Sequence, residues 1–382
     1  MLDMKWQRIR DTSVCYLLLL LLVVYYSQGV VLPEEGVLGQ ILLAIIFIFS
    51  FVYLFKMLFL KKKFTGFMRV WLIFMVMYII YFLLYDNFAE YSILKMVLLN
   101  FLPFFPFYYF SQKEILTRKL LIAFFLILLP VLIQKFNQSI NQLRLEEMRE
   151  DVVDNTVYLF IGLLPFVFLF RQKVLSFLFL MIIWFYMIQS AKRAAIICGM
   201  VALGLIVFEY LYASENKSKF KRYFFAVLLL FAVGYFGYDL YQQNQYVIDR
   251  MTLMMEGQSS GRDLLIETLT SFWFQSNRLI PYLFGFGYNA SSLHSVHVSH
   301  NDWVDMLVSF GLMGIVVYFA LFRLLFMQVL KKGWTREKKI ILILVLCIAI
   351  ITSLTSRWYW STFAYMQILI LPYLLATYNK ET

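Results

Sequence analysis

Long apolar runs recur along the whole 382-residue chain, and they constrain its fold more than any other feature. Runs of roughly 17 to 25 residues are long enough to cross a hydrocarbon core of about 30 Å as α-helices. We count about twelve such runs, which predict an all-α polytopic membrane protein. Composition agrees, because 62% of the residues are hydrophobic and 15% are charged, whereas a soluble domain has about a quarter charged residues. The predicted spans are residues 14–32, 37–60, 67–85, 92–110, 119–134, 157–171, 174–190, 194–212, 223–241, 302–328, 339–354 and 358–378.

The polar stretches between these runs are too short for a separate soluble domain. We therefore expect a single transmembrane domain over residues 1–382. The first apolar run follows several basic residues, as in a secretory signal, but no small-x-small cleavage site follows it. We expect this run to be retained as the first helix.

Along the chain, basic connections between the spans alternate with connections that are acidic or neutral. Residues 61–63 and 331–339 are examples of the basic connections, and residues 135–156 are an acidic one. The positive-inside rule then predicts that both termini are cytoplasmic. Because topology accounts for the net charge of +11, nucleic-acid binding is not expected.

One connection on the predicted outer side, residues 242–301, is far longer than the others and separates the ninth span from the tenth. Within it Leu265, Leu269, Phe272 and Trp273 recur at helical spacing. This pattern predicts an amphipathic helix that lies on the membrane surface or over a cavity.

Several basic residues fall in the predicted outer connections, against the positive-inside rule. Lys192 and Arg193 lie in one tight turn, Arg262 in the long loop and Arg357 in the last outer turn. Arg193 also stands near a helix N-terminus, where the macrodipole disfavours a cation. An anionic partner such as a lipid-linked phosphate would explain this placement. The alternative is that these side chains reach the lipid headgroups from helix ends.

All three histidines of the chain lie in the segment HSVHVSHNDW, residues 294–303. A three-histidine metal site is geometrically poor there, because in an extended strand the middle imidazole points away from the other two. His300 is better placed as a general base, since it directly precedes the tenth span with Asn301 or Asp302 as the N-cap. The alternative is an interfacial or capping histidine.

Three motifs together are similar to those of the O-antigen ligase and O-antigen (capsular polysaccharide) polymerase family. The segment HNDWVDMLVSFGLMG, residues 300–314, resembles the His-Asn, apolar helix and Gly-x-x-Gly pattern of that family. The segment SGR at 260–262 and the segment SAKRAA at 190–195 fit its order and sidedness. Lys192 departs from the pattern, because the family often has serine at that place.

The resemblance implies a metal-independent glycosyltransferase of the multispan C-type architecture that acts at the extracytoplasmic face of a bacterial plasma membrane. Its substrates would be undecaprenyl-pyrophosphate-linked oligosaccharides, without a cofactor, and a flippase and a chain-length regulator are compatible partners. Carried over, Arg193 and Arg262 would bind the pyrophosphate and His300 would act at the acceptor hydroxyl. We add Arg357, Asn301 and Lys192 as substrate-binding candidates from their predicted side.

Other residues near the predicted site are candidates for stacking on sugars or for close helix packing. Trp273, Tyr282, Tyr288 and Trp303 could stack on sugars, although aromatic residues are common at membrane interfaces for other reasons. Gly311 and Gly314 are predicted to allow close helix packing.

Three other functions stay open at this point. An O-antigen ligase shares the same motifs. A polysaccharide flippase or transporter would usually place ionisable residues at mid-membrane, and break signals do occur at Asn100, Pro103 and Pro106. A metal-dependent glycosyltransferase could use Glu34 and Glu35 of the first outer loop as ligands.

Overall fold

The computed structural model describes residues 2–30, 36–59, 64–85, 91–147, 154–190, 192–212, 262–276, 278–293 and 299–381, with single positions at 227, 231, 234, 235, 238 and 252. Over these residues the chain forms helices joined by short connections, and it contains no β-strand. The elements, in chain order, are α1 (Leu2–Tyr26), α2 (Val37–Phe59), α3 (Gly66–Leu84), α4 (Tyr91–Phe101), α5 (Phe104–Gln112), α6 (Arg118–Glu147), α7 (Val157–Val167), α8 (Lys173–Gln189), α9 (Arg193–Tyr212), α10 (Arg262–Phe274), α11 (Leu279–Phe284), α12 (Ala290–Leu293), α13 (Asp302–Leu330), α14 (Arg336–Thr355), a π-helical turn (Met366–Ile370) and α15 (Leu371–Glu381).

Within the described residues, eight helical segments are long and apolar enough to cross a membrane. Their outward faces carry large apolar side chains, such as Phe59 and Ile48, which are 81% and 61% exposed. Such surfaces suit lipid rather than water, so the architecture is that of a multi-pass membrane protein. Shorter apolar helices occupy 157–167, 173–189 and 366–378, where further spans are predicted. The predicted ninth span, 223–241, lies outside the described residues apart from single positions, and the total number of spans stays a prediction.

The fourth predicted span is broken where the sequence has Asn100 and two prolines. Helix α4 ends at Phe101 and α5 begins at Phe104. Trp71 of α3 satisfies part of the interrupted backbone, because its Nε1–H donates to the carbonyl of Phe101 at 2.9 Å. Proline has no N–H group to offer a helix ladder, so the predicted break is confirmed.

Helix α6 extends further than predicted. The span predicted over 119–134 was to be followed by a connection over 135–156, but the helix continues to Glu147. Its 30 residues rise about 45 Å, about 15 Å more than the hydrocarbon core needs. The residues after 134 are polar but mostly good helix formers. The helix therefore continues where the apolar pattern stops.

The start of the last predicted span, 358–378, also differs from the structure. Residues 356–363, which we call the re-entrant turn, follow α14 without regular helical structure. The turn is deeply buried, with Trp358 only 2% and Tyr359 only 1% exposed. Because a buried irregular segment is as apolar as a span, hydropathy does not distinguish the two.

Helix α13 bends at Gly311, whose φ of 64° and ψ of −157° are not helical. The bend frees two carbonyls that accept from the preceding segment: Phe286 N–H donates to Val308 at 2.9 Å, and Gly287 N–H donates to Ser309 at 3.1 Å. A Cβ at Gly311 would lie 2.5 Å from the backbone nitrogen of Gly285. The predicted close approach at Gly311 is therefore confirmed.

Gly314 has a different role from the one predicted. A Cβ there would lie 2.4 Å from the Cβ of Phe310 and 2.9 Å from the carbonyl of Met306. Both atoms belong to α13 itself. Gly314 thus makes room for the bend of its own helix rather than for a neighbouring helix.

The amphipathic helix predicted in the long loop is present as α10. Leu269 is fully buried and Trp273 is 3% exposed, and Leu265 and Phe272 pack beside them. This face joins a small apolar cluster with Val304 and other residues of the first turns of α13. Helix α10 therefore packs on the start of α13.

Candidate functional site

The start of α13 is fixed by a side-chain cap. The Oδ1 atom of Asn301 accepts from the backbone N–H groups of Trp303 at 3.0 Å and Val304 at 3.3 Å. The predicted N-cap is therefore confirmed. This capping leaves the side-chain amide nitrogen of Asn301 as the group that could serve in the predicted substrate contact.

His300 directly precedes this cap, is exposed and has a φ of 50°. A non-glycine residue in the left-handed region is uncommon, and such residues occur often at functional sites. The imidazole stands at the surface of the bundle, next to the positive end of α13.

Two buried carboxylates connect the start of α13 to its surroundings. The Oδ2 atom of Asp302 accepts from the hydroxyl of Tyr318 at 2.6 Å and from the backbone N–H of Trp358 at 2.7 Å. Asp305 accepts from the hydroxyls of Ser291 and Tyr359. The first turn of α13 is therefore tied to the re-entrant turn and to α12.

The re-entrant turn is held by further polar side chains. The Nδ2 group of Asn100 donates to the carbonyl of Ser361 at 2.9 Å, and the Nε2 group of Gln367 donates to the carbonyl of Trp358 at 2.8 Å. A buried irregular backbone needs hydrogen-bond partners for its polar groups. These contacts satisfy that condition and fix the position of Arg357.

Arg357 is a largely desolvated cation. Its guanidinium carbon lies 3.5 Å from the ring centroid of Trp360. Burial lowers the pKa of Arg357, and the negative charge of Asp305 acts in the opposite direction. The Nη2 group is buried and has no hydrogen-bond partner among the described residues. An arginine stays protonated even so, so this site holds a positive charge with an unused donor.

Arg262 of α10 contacts the last residue of α14, directly before the re-entrant turn. Its Nη1 group donates to the carbonyl of Thr355 at 2.8 Å. Thr355 ends α14 and is two positions before Arg357, a separation of at most about 7 Å along the chain. The structure therefore brings together two of the predicted cations, Arg262 and Arg357, beside the turn that is bonded to Asp302.

Arg193 lies at the same end of the bundle. It begins α9, which packs against α14. The two helices run in opposite directions, because Arg336 at the start of α14 donates to the carbonyl of Phe208 near the end of α9 at 3.5 Å. The first residue of α9 and the last residue of α14 are therefore at one end.

Lys192 precedes α9 but is directed toward α7. Its ammonium group lies 5.9 Å from the ring centroid of Tyr158, a cation–π distance. Its place in the site is thus beside α7 and apart from the Arg262–Thr355 contact.

Ion pairs lie at the opposite end of the bundle. Between described residues there are three, Lys56–Asp11, Arg118–Glu337 and Lys173–Glu209. Each joins helix ends that are far from the re-entrant turn. Neither Arg262 nor Arg357 forms an ion pair with a described carboxylate. The candidate site therefore combines the cations Arg262 and Arg357 with two buried acids, Asp302 and Asp305.

The aromatic residues predicted to stack on sugars are largely used in packing. Trp273 and Tyr288 are 3% and 1% exposed, so protein covers their ring faces. Tyr282 stacks on Trp273 with ring centroids 4.0 Å apart. Trp303 packs against Tyr318, and its Nε1–H donates to Ser353 at 3.2 Å. These four rings stabilise the frame of the site.

The histidines His294 and His297 and the carboxylates Glu34 and Glu35 lie outside the described residues. Within the part of the chain that the structure does describe, no three His, Cys, Asp or Glu side chains are grouped closely enough to hold a metal ion. An experiment is therefore needed to test the metal-dependent alternative.

The residues that the sequence analysis missed are Asp305 and the tethering role of Asp302. The signal was present in the segment DWVD, which places two acids three positions apart on one face of a helix start. At a helix N-terminus such acids also complement the macrodipole. Because this local role accounts for both acids, the sequence alone does not predict their contact with the re-entrant turn.

No family model matches the sequence, and no curated protein is significantly similar to it. The likeness to the O-antigen ligase and polymerase family therefore stays a resemblance of motifs.

Proposed function

We propose that the chain is a glycosyltransferase that polymerises lipid-linked oligosaccharide repeat units. It would act at the extracytoplasmic face of a bacterial plasma membrane, with both termini in the cytoplasm. The observation that carries the proposal is the contact of Arg262 with the carbonyl of Thr355, which is two positions before Arg357. Two planar cations near one turn suit the oxygens of a pyrophosphate.

The chemistry follows from these groups. The donor sugar leaves its pyrophosphate carrier as the C–O bond at the anomeric carbon breaks, and negative charge grows on the phosphate oxygens. Arg262 and Arg357, with Arg193 from α9, would stabilise that charge, which is the largest contribution that a preorganised site makes. Neutral His300 would accept the proton of the attacking hydroxyl as the new C–O bond forms.

Substitution in the producing cells tests this assignment. We expect His300→Ala and Arg262→Gln to reduce the polysaccharide ladder to single repeat units, while Arg278→Gln leaves it unchanged. Arg278 is the matched control, because it lies in the same loop and is exposed. A full-length ladder in His300→Ala cells with normal protein abundance would refute the role of His300.

Ligation remains the nearest alternative, because the same donor chemistry serves an acceptor of another kind. A ligase would be identified by variants in which the ladder still forms on the carrier lipid but no glycan, not even a single unit, is transferred to the final lipid acceptor.

Transport is a second candidate, which the broken α4–α5 segment and the re-entrant turn favour. Transporters bind their substrates at interrupted helices of this kind. If the chain is a flippase, an inactive variant would leave the lipid-linked repeat unit on the cytoplasmic face. If the chain is a polymerase, an inactive variant would leave it on the outer face, where a membrane-impermeant glycosidase digests it.

A further inference from the structure

The short helix α11 (Leu279–Phe284) exposes a wholly apolar face. Leu279 and Ile280 are 72% and 71% exposed, and Leu283 and Phe284 are exposed as well. Because successive residues of an α-helix are about 100° apart, these four side chains lie within an arc of about 140°. The described residues leave this face uncovered.

The neighbouring helix α10 presents a different surface. Its apolar face is buried against the start of α13, and its exposed side mixes Leu264 with the acids Asp263 and Glu267. Acidic side chains are rarely found away from water. Tyr282 of α11 stacks on Trp273 of α10 with ring centroids 4.0 Å apart, so the two helices are in contact. The exposed surface of this pair is thus polar on α10 and apolar on α11.

A hydrogen bond fixes the level of α11 relative to α3. The hydroxyl of Tyr81 donates to the carbonyl of Phe284 at 2.8 Å. Tyr81 lies in the last turn of α3, which is long and apolar enough to span a membrane. In the same turn Leu83 and Leu84 are 61% and 71% exposed. The end of α11 therefore lies beside the end of a span, where the surface of that span is still apolar.

The bend of α13 gives the same level. A Cβ at Gly311 would lie 2.5 Å from the backbone nitrogen of Gly285 and 2.6 Å from the carbonyl oxygen of Leu283, so the end of α11 packs directly on the bend. From Gly311 the helix continues for 19 residues to Leu330. This length is about 28 Å, which is nearly the thickness of a hydrocarbon core. The bend and the end of α11 therefore lie near one edge of that core.

The exposed face of α11 continues the apolar outer surface of the spans. Just past the bend of α13, Met313 and Val316 are 48% and 62% exposed. The sequence of α11, LIPYLF, contains no charged residue, and the exposed Arg278 directly precedes it. An arginine at such a place can keep its charge among the lipid headgroups while its stem follows apolar surface. These features are typical of a helix inserted at the boundary between headgroups and acyl chains.

We propose that α11 is inserted into the membrane leaflet at this end of the bundle, with the acyl chains of the bilayer phospholipids as the partner of its apolar face. The inference is independent of the proposed glycosyl transfer, because it uses none of the cations or acids of the candidate site. It assigns the lipid contact of the long loop to α11, whereas the sequence pattern indicated α10.

The residues that follow connect the inserted helix to the candidate site. Ser291 of α12 is seven positions after Phe284, and its hydroxyl donates to Asp305. Asp305 also accepts from the hydroxyl of Tyr359 in the re-entrant turn. The lipid contact of α11 is therefore joined to the re-entrant turn by a short piece of chain and two hydrogen bonds.

The test measures how accessible a nitroxide spin label is to oxygen, which concentrates in hydrocarbon, and to a water-soluble nickel complex. The label is attached to Ile280→Cys in the full chain, in nanodiscs of phosphatidylcholine. The native cysteines Cys15, Cys198 and Cys347 are first replaced by alanine. We expect the oxygen-to-nickel ratio of Ile280→Cys to be about tenfold above that of Glu267→Cys, the exposed control on α10, and close to that of Ile80→Cys on α3, since an interfacial helix is buried about 5–10 Å.

Two other results would overturn the proposal. A nickel accessibility of Ile280→Cys equal to that of Glu267→Cys would show that the face of α11 is in water. Low accessibility to both reagents would show that protein covers the face, either a second copy of the chain or the segment 223–241.

A second measurement keeps the native cysteines and identifies the partner directly. The photoreactive residue p-benzoylphenylalanine replaces Ile280, and the nanodiscs are irradiated. We expect an adduct with the mass of one phospholipid, and no such adduct when the same residue replaces Glu267. A covalent dimer or a cross-link within the chain, without a lipid adduct at position 280, would overturn the proposal and leave the proposed function standing.

Discussion

Asp302 accepts a hydrogen bond from the backbone N–H of Trp358 at 2.7 Å, and this contact joins the two halves of the candidate site. Asp302 begins the helix that His300 precedes, and Trp358 follows Arg357 in the re-entrant turn. The carboxylate also accepts from the hydroxyl of Tyr318 at 2.6 Å. The proposed base and one proposed cation are therefore positioned by a single buried side chain.

Replacing Asp302 should separate these two halves. In Asp302→Ala the N–H of Trp358 and the hydroxyl of Tyr318 lose a buried acceptor, which costs about 1–3 kcal/mol each. We expect a lower thermal midpoint of the purified protein and loss of the ladder. The control is Glu267→Ala, an exposed acid on α10. Wild-type stability in Asp302→Ala would contradict the tether.

Substitutions at Asn301 distinguish capping from substrate binding. Asn301→Asp keeps an acceptor for the N–H groups of Trp303 and Val304, whereas Asn301→Ala removes the cap at a cost of about 1 kcal/mol. If the main role is capping, the aspartate variant should retain the thermal midpoint and most of the ladder. A normal midpoint with a lost ladder in Asn301→Asp would show that the amide nitrogen contacts the substrate.

Lysine should not replace arginine at position 357. The guanidinium carbon lies 3.5 Å from the ring centroid of Trp360, and lysine offers a point charge without the planar donor geometry. Loss of one charge-assisted contact of about 1.5–3 kcal/mol corresponds to about a 10- to 150-fold lower rate of transfer. Rates in membranes from Arg357→Lys cells measure this, with Arg278→Lys as the matched exposed control. A rate in Arg357→Lys within twofold of the wild type would remove Arg357 from the site.

The bend at Gly311 gives a prediction about folding alone. An alanine there would be held at a φ of 64° with its Cβ 2.5 Å from the backbone of Gly285, a distance that real Cβ atoms do not adopt. We expect Gly311→Ala to lower the thermal midpoint strongly. Gly204→Ala is the control, because nothing lies within 4 Å of that position and alanine favours a helix by roughly 0.5–1 kcal/mol over glycine. A harmless Gly311→Ala would show that α13 does not bend.

Much of this fold could be predicted from sequence because a membrane helix is recognised by its length and hydropathy. The amphipathic face of α10 and the cap at Asn301 were also predictable, since both depend on local spacing. The re-entrant turn was not, because its aromatic residues have the composition of a span. Its structure depends on Asn100 and Asp302, which come from distant parts of the chain, and on Gln367, which is nine positions after Trp358.

The site was predictable in part. Loop charge against the positive-inside pattern indicated Arg262 and Arg357, and in the structure Arg262 contacts Thr355, two positions before Arg357. The contacts of Asp302 with Trp358 and of Asp305 with Tyr359 were not predicted, because they join residues that are 56 and 54 positions apart in the chain.

The most direct measurement of the central claim uses right-side-out spheroplasts of the producing cells, washed with a chelator that does not cross the membrane. Chain elongation on the outer face is then followed with and without added Mg²⁺ or Mn²⁺. The arginine-based site predicts that elongation continues in the chelator and stops in the Arg262→Gln variant. Elongation that stops in the chelator and resumes with either cation would contradict it and favour a metal site.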